Sequence, residues 1–280
     1  MSSILTNNSA IVALQTIKSI NSNLTKTQSE ISTGKSIATA KDNAAIWGVS
    51  KVMEGEAAAF KTIQSNLNAA GAVVSTARVG AEAVVDGLTD IKKLVSGATS
   101  DLMDADAREK TTQEITRKLE QIKSTIDTTQ MNGVNMLSNG DSFKFLGGAN
   151  HGVEIGDDTG HYITVAGVNL TAEMGLDFDA GLDISDTAKA AEAMKAIDDA
   201  LNAAIVGAAT LGSTGKRIED QSKLASQMAD SLKVGVGALV DADMEEASAR
   251  LQALQTQQQL GIQALSIANQ APQSILSLFR

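Results

Sequence analysis

Between Phe60 and Val95 the apolar residues fall at alternating intervals of three and four: Phe60, Ile63, Leu67, Ala70, Val74, Ala77, Ala81, Val84, Leu88, Ile91 and Val95. Only a helix places such residues on one face, and a 3.5-residue repeat sustained this long asks for a partner helix along its length. The positions between are largely Ser, Thr, Asn, Asp, Glu and Lys, with some Ala and Val. The spacing predicts a helix over about 44–97, about 80 Å long at 1.5 Å per residue. The only proline is Pro272, so nothing interrupts such a helix.

The same pattern recurs elsewhere. Ala10, Ala13, Ile17, Ile20, Leu24, Thr27 and Ile31 predict a helix over 3–34, with Ile4, Ile11 and Leu14 widening its face and Gly34 as its stop. Thr39 to Asp42 has capping-box spacing and could restart a helix. Asp104 is placed to cap a helix running to about Thr128, with the stripe Ile115, Leu119, Ile122 and Ile126. Asn132-Gly133 suits a tight turn. Helix resumes near Ser185–Thr187, with Ile197, Leu201, Ala204, Ala208 and Leu211 extended by Ile218, Ala225, Leu232 and Leu239. A last stripe holds Val240, Met244, Ala247, Leu251, Leu254, Gln258, Gly261, Leu265 and Ala268.

Over 141–183 the pattern changes. SFKFLGG, GVEIGDD, HYITVAGVNL and LDFDAGLDI are short alternating runs between glycines and predict small hairpins. The fold class expected is mainly α: a long antiparallel helical bundle or coiled coil, with paired terminal helices and a small β-hairpin insertion. Chain halves of similar helical length flank one excursion, which predicts an antiparallel return.

Composition narrows the function. Apolar residues make up 43% of the chain but aromatics only 2%, which suits thin helical seams rather than a thick sandwich core. A net charge of −10, without a basic cluster, excludes nucleic acid as a partner. With no cysteine there are no disulfides, thiolate nucleophiles or Cys-based metal sites. No stretch approaches the ~18 apolar residues of a membrane span, so no membrane insertion is expected. MSSILTNNSAIVALQTIKSI does not read as a secretory signal, because no Lys or Arg precedes Lys18 and Gln15 cuts the apolar run short.

No constellation of catalytic, cofactor-binding or metal-ligating residues is expected. His151 and His161 lie near Glu154, Asp157 and Asp158, but their spacing fits no tight ligand motif. DFDAGLD at 177–183 lacks the alternation and distal Glu of a calcium loop. The sequons at Asn7, Asn23 and Asn169 are read as chance triplets.

The terminal stripes point to assembly. A lone helix of about 30 residues is marginal in water, so both ends need partners. The C-terminal helix also presents Gln252, Gln255, Gln257, Gln258, Gln259 and Gln263. Uncharged amides enter a crowded interface at lower cost than unpaired Lys or Glu. Self-assembly is therefore assigned to Ile4, Ile11, Leu14, Ile17, Leu24, Ile31, Leu251, Leu254, Gln258, Gly261, Leu265, Ile275 and Leu278.

LTKTQSEISTGKSIATAKDNAAIWGVS, TQMNGVNML and LQALQTQQQLGIQALSIANQAPQSILSLFR resemble bacterial flagellin, the flagellar filament subunit. AKDNAAIWG and LVDADMEEASARLQALQT are similar to the short alphaproteobacterial type. The likeness covers the sequence except about 141–183. It implies that 1–40 and 241–280 pair to line the filament channel, that 41–140 with 184–240 form the outer-tube bundle, and that 141–183 is surface-exposed. It also implies an extracellular structural polymer for swimming motility, not an enzyme, exported without a cleaved signal peptide. The implied partners are other copies of itself, the flagellar export apparatus, an export chaperone, and the hook-associated and cap proteins. The stretch LTDIKKLVSGATS, 88–100, matches an innate-receptor recognition region, with Asp90, Ile91 and Leu94 at the matching positions. Asp90 stands where that pattern has a key Arg, which implies weak or absent receptor activation. O-linked sugars are implied on outer hydroxyls such as Ser142, Thr159, Thr164 and Thr171. A hook–filament junction protein is the nearest alternative, and a helical secreted toxin or translocator a more distant one.

Overall fold

The computed structural model describes residues 7–100, 103–146, 162–178 and 181–278, the side chains of 271–278 excepted. The protein is mainly α. Its elements in order are α1 (Asn8–Thr33), α2 (Ala44–Ala98), α3 (Ala105–Thr128), β1 (Phe143–Leu146), β2 (Tyr162–Val165), α4 (Leu170–Glu173), α5 (Thr187–Val240) and α6 (Met244–Leu278). Two compact units form, one from 1–55 with 231–280, the other from 56–230.

The second unit is built on the long stripe. Every residue of it from Ile63 to Val95 is buried, joined by Ala98, while Phe60 packs at the margin. Ile115, Leu119, Ile122 and Ile126 of α3 and Ile197, Ala204, Leu211 and Ile218 of α5 complete the core. Each fully buried Leu or Ile contributes about 2 kcal/mol by removal from water. The partners run antiparallel to α2. Asn68 accepts from the Ser222 hydroxyl at 2.8 Å, and Lys92 pairs with Asp198 at 2.6 Å. On α3, Lys118 reaches Asp90 at 3.3 Å. Gly80 and Gly87 set the closeness of α2 to α3. A Cβ on Gly87 would lie 2.9 Å from Ile122 Cγ1, and one on Gly80 2.6 Å from Thr129.

Helix ends follow the side chains that satisfy orphan amides. Asp104 accepts from Ala107 N at 2.7 Å and starts α3. Gly34, at φ 69°, ends α1 with its N–H on the Glu30 carbonyl. Asn132 and Gly133 have φ 54° and 79°, the paired positive values of a tight hairpin-type turn.

Several expectations are corrected. Among the described residues α1 starts at Asn8, where the Asn7 side chain accepts from Ala10 N; positions 3–6 of the expected helix lie outside them. Thr39 and Asp42 close a separate turn in which Asp42 accepts from the Thr39 N–H and hydroxyl. The helix restarts beyond it, under Asn43, which accepts from Ala45 N and Ile46 N. LDFDAGLDI forms no strand among its described residues. Leu176, Phe178 and Ile184 are spent in the core instead. VNL leaves the sheet after Val165, and Asn169 caps the short α4 by accepting from Ala172 N. What remains is one hairpin, Phe143 opposite Val165 through Leu146 opposite Tyr162. GVEIGDD lies outside the described residues. On α5, Leu239 is exposed while Val236 and Val240 are buried, so the stripe shifts phase before the helix gives way at Asp241. Met244 is exposed at the new start, where Asp243 accepts from Glu245 N and Glu246 N.

Candidate assembly surface

The first unit is organised by α1 against α6. Their contacts pair rising numbers on one helix with falling numbers on the other, so the helices are antiparallel. Asn7 donates its side-chain amide to the Ala268 carbonyl at 2.7 Å. Ile17 and Ile20 face Gly261, and Gln258 donates to Asn21 Oδ1 at 2.7 Å. The backbones at Lys35 and Asp241 pair antiparallel, with Ser36 N donating to the Val240 carbonyl at 2.7 Å and Ala242 N to the Gly34 carbonyl at 3.0 Å. Gly261 permits this closeness, since a Cβ there would come 3.1 Å from Ile17 Cγ1.

The seam takes the 3-4 positions. Ile20 and Thr27 on α1, and Ala247 and Leu254 on α6, are buried. Ile17, Leu24, Ile31, Leu251, Gln258, Gly261 and Leu265 are half-buried beside them. These assembly candidates thus lie along the seam within one subunit. Ile11 and Leu14 do not. They are 56% and 45% exposed, pointing away from it. Ile4, and the side chains of Ile275 and Leu278, lie outside the described residues.

Exposed apolar side chains also stand on both flanks of the seam, where the 3-4 pattern did not isolate them. Val12 is 63% exposed, Leu260 61%, Ile262 56% and Ile267 69%. These residues sit one or two positions off the seam stripe. Counting apolar side chains left over after the heptad positions were assigned is the signal that finds them. From 251 to 279 no Asp, Glu, Lys or Arg occurs, so amides and hydroxyls stand between the apolar side chains there.

The first unit carries ion pairs on α1, Lys26 with Glu30, on α6, Arg250 with Glu246, and at the α1–α2 link. Glu54 accepts from Lys51 at 2.5 Å and Lys35 at 3.3 Å, and the Lys51 bond above all lowers its pKa.

The remaining candidates are dispersed over the second unit. Asp90 is half-buried and holds Lys93 and Lys118, whose hydrogen bonds lower its pKa. Ile91 is fully buried and Leu94 packs against the core, so neither offers a free side chain. Ser142, Thr164 and Thr171 are exposed, whereas Thr159 lies outside the described residues. His151 and His161 do so as well. Among the described residues, no group of His, Cys, Asp and Glu is placed to hold a metal ion. Nor, among them, is any helix long and apolar enough to cross a membrane.

One residue in the second unit escaped the sequence reading altogether. Arg108, 7% exposed, donates to the carbonyls of Ala98 at 2.5 Å, Ser100 at 2.9 Å, Met103 at 3.3 Å and Ile184 at 3.4 Å. Its guanidinium also donates to the Thr187 hydroxyl at 3.4 Å. It thereby fastens the end of α2, the link to α3 and the start of α5. A lone Arg in a polar first turn gives no sequence signal of burial.

Comparison with known proteins bears on what this arrangement is for. Residues 4–141 match the family model of the bacterial flagellin N-terminal helical region, and 194–279 that of the C-terminal helical region. The sequence is 40% identical to a flagellin of Brucella melitensis, with full coverage of both proteins. It is 35% identical to Flagellin FljM of Caulobacter vibrioides, over all of its own length and 99% of that relative. Flagellin C of Rhizobium meliloti is 34% identical, again with full coverage of both. Among solved structures, a Bacillus cereus flagellin matches at a TM-score of 0.48 and 18% identity, over 60% of this protein and 94% of that one.

Proposed function

The chain belongs to the flagellin family and is a structural subunit of the bacterial flagellar filament, and from that membership we propose how its terminal helices drive polymerisation. The seam residues Ile17, Leu24, Ile31, Leu251, Leu254, Gln258, Gly261 and Leu265 order α1 against α6. The outward residues Ile11, Leu14, Leu260, Ile262 and Ile267 then meet the same pair on neighbouring copies. The observation that carries this reading is the set of apolar side chains left exposed on both flanks of the seam, with no charged residue on α6 beyond Arg250. An isolated two-helix pair buries only one stripe per helix, so it gains the rest of its stability on assembly.

In the polymer, 1–40 with 241–280 line the channel, 41–140 with 184–240 form the outer tube, and 141–183 faces outward. Ile4, Ile275 and Leu278 extend the axial contacts. Export proceeds through the flagellar apparatus, with a chaperone on the C-terminal segment and assembly beneath the cap, on hook-associated proteins. The subunit has no catalytic role. Exposed Ser142, Thr164 and Thr171 are the hydroxyls open to O-linked sugar, and an intact mass of native subunits equal to 29.0 kDa would rule that out.

Electron microscopy of the reassembled full-length protein, beside variants lacking 1–30 or 251–280, tests the reading. Full-length protein forms tubes and neither truncation does. A truncation that polymerises with native stability overturns the role of the ends.

The receptor-like stretch is proposed to be inactive. Asp90 puts a carboxylate, already engaged by Lys93 and Lys118, where an Arg donor is needed, and Ile91 is sealed in the core. Purified monomer is expected to give little or no signal in reporter cells bearing the vertebrate flagellin receptor. A strong response at low concentration contradicts this.

A further inference from the structure

Two Asn–Gly pairs occur in the sequence, Asn132–Gly133 and Asn139–Gly140. Glycine leaves its own nitrogen unshielded and its backbone free to rotate, so an asparagine before it is open to attack by that nitrogen. The fold treats the two pairs differently.

Asn132 and Gly133 form the exposed tip of a turn. Met131 and Val134 flank it, each donating its N–H to the other's carbonyl, at 3.1 and 3.0 Å. A Cβ on Gly133 would meet nothing within 4 Å. Among the described residues, neither the Asn132 amide nor the Gly133 N–H has a hydrogen-bond partner. The peptide between them can turn without displacing a neighbour.

Gly140 is held. A Cβ on Gly167 would lie 2.4 Å from the Gly140 carbonyl carbon, so those backbones are in close contact. A Cβ on Gly140 itself would lie 3.3 Å from Asn169 Cβ. Val168 N donates to the Met136 carbonyl at 2.8 Å and Leu170 N to the Leu137 carbonyl at 2.9 Å, which fastens the overlying segment. Rotation of the Asn139–Gly140 peptide would have to break this packing.

We propose that Asn132 is a site of spontaneous deamidation in the folded subunit, and that Asn139 is protected by its packing. The Gly133 nitrogen, losing its proton to a solvent base, forms a bond to Asn132 Cγ. The bond from Cγ to Nδ2 breaks, and Nδ2 leaves as ammonia after taking up a proton. Water then opens the five-membered imide at either carbonyl, giving aspartate or isoaspartate. No oxidant or enzyme is required. The product adds a carboxylate, and isoaspartate also lengthens the backbone by one methylene. The change falls three residues from Asn135, whose buried amide donates to the Ile126 and Asp127 carbonyls and accepts from Leu137 N and Ser138 N. Subunit age is thus recorded beside the joint that ends α3.

The test is peptide mapping by mass spectrometry of full-length protein held in mildly alkaline buffer, folded or unfolded in urea. In the folded protein, Asn132 converts several-fold faster than Asn139. In urea the two converge. N132G, which keeps the turn's positive φ, removes conversion at 132 and leaves the rate at 139 unchanged. Equal rates in the folded protein overturn the proposal, as does faster conversion at 139, or loss of conversion at both sites on folding.

Discussion

Replacing Ile262 and Ile267 together with serine is expected to leave the subunit folded and to prevent its polymerisation at ordinary concentrations. Both side chains are more than half exposed and contribute little to the seam between α1 and α6. Serine and isoleucine have similar helix propensities, so α6 itself is not weakened. Burying one isoleucine contributes roughly 2 kcal/mol, and losing two raises the critical concentration about a thousandfold at 1.4 kcal/mol per factor of ten. Sedimentation of polymer against total concentration measures this, with circular dichroism confirming unchanged helix content. L254S makes the contrast. Leu254 is 8% exposed within the seam, so its loss reduces the helicity of the monomer before assembly is at issue. An unchanged critical concentration for I262S/I267S would falsify these outward side chains as contacts between copies.

Arg108→Met carries the second large effect, this time on the subunit. Met fills much of the volume but leaves the carbonyls of Ala98, Ser100, Met103 and Ile184 without the guanidinium. The Ala98 carbonyl stands at the negative end of α2, where a cation is most favourable. Charge-assisted hydrogen bonds contribute about 1.5–3 kcal/mol each, and leaving buried acceptors bare adds to that, so a loss of about 3 kcal/mol is a conservative figure. For a unit of this size that lowers the main melting transition by roughly 10 °C. Arg108→Lys does not rescue it, because one ammonium cannot span acceptors on three segments. Calorimetry decides the matter. A melting transition within a degree or two of the parent, on the scale of about 2–4 °C per kcal/mol, would show that water replaces the guanidinium.

The long bundle was legible because it obeys one rule. The stripe from Ile63 to Val95 makes a single face, and every residue of that stripe is buried, since a 3.5-residue repeat over a proline-free stretch has no other solution. The caps Asp104 and Gly34 and the turn at Asn132-Gly133 were legible for a related reason: each satisfies orphan backbone groups or a positive φ by its own short side chain or lack of one. LDFDAGLDI misled because alternation over a few residues does not distinguish a strand from a loop that drops every second side chain into a core. Thr39 to Asp42 misled because the Asp42 carboxylate can close a turn on Thr39 without a helix behind it.

At the assembly surface the division is sharper. The sequence by itself determined that both ends are helical, apolar, rich in amides and poor in charge, because those properties belong to residue type and spacing. It could not divide the apolar residues into those that hold α1 to α6 and those left facing outward. That division depends on the phase at which two antiparallel helices meet, which is set by Gly261 against Ile17, Asn21 against Gln258 and Asn7 against the Ala268 carbonyl. Contacts between residues more than two hundred positions apart leave no periodic trace. Only the tertiary structure places Ile17 in the seam and Ile262 outside it, and only there does Arg108 find its carbonyls.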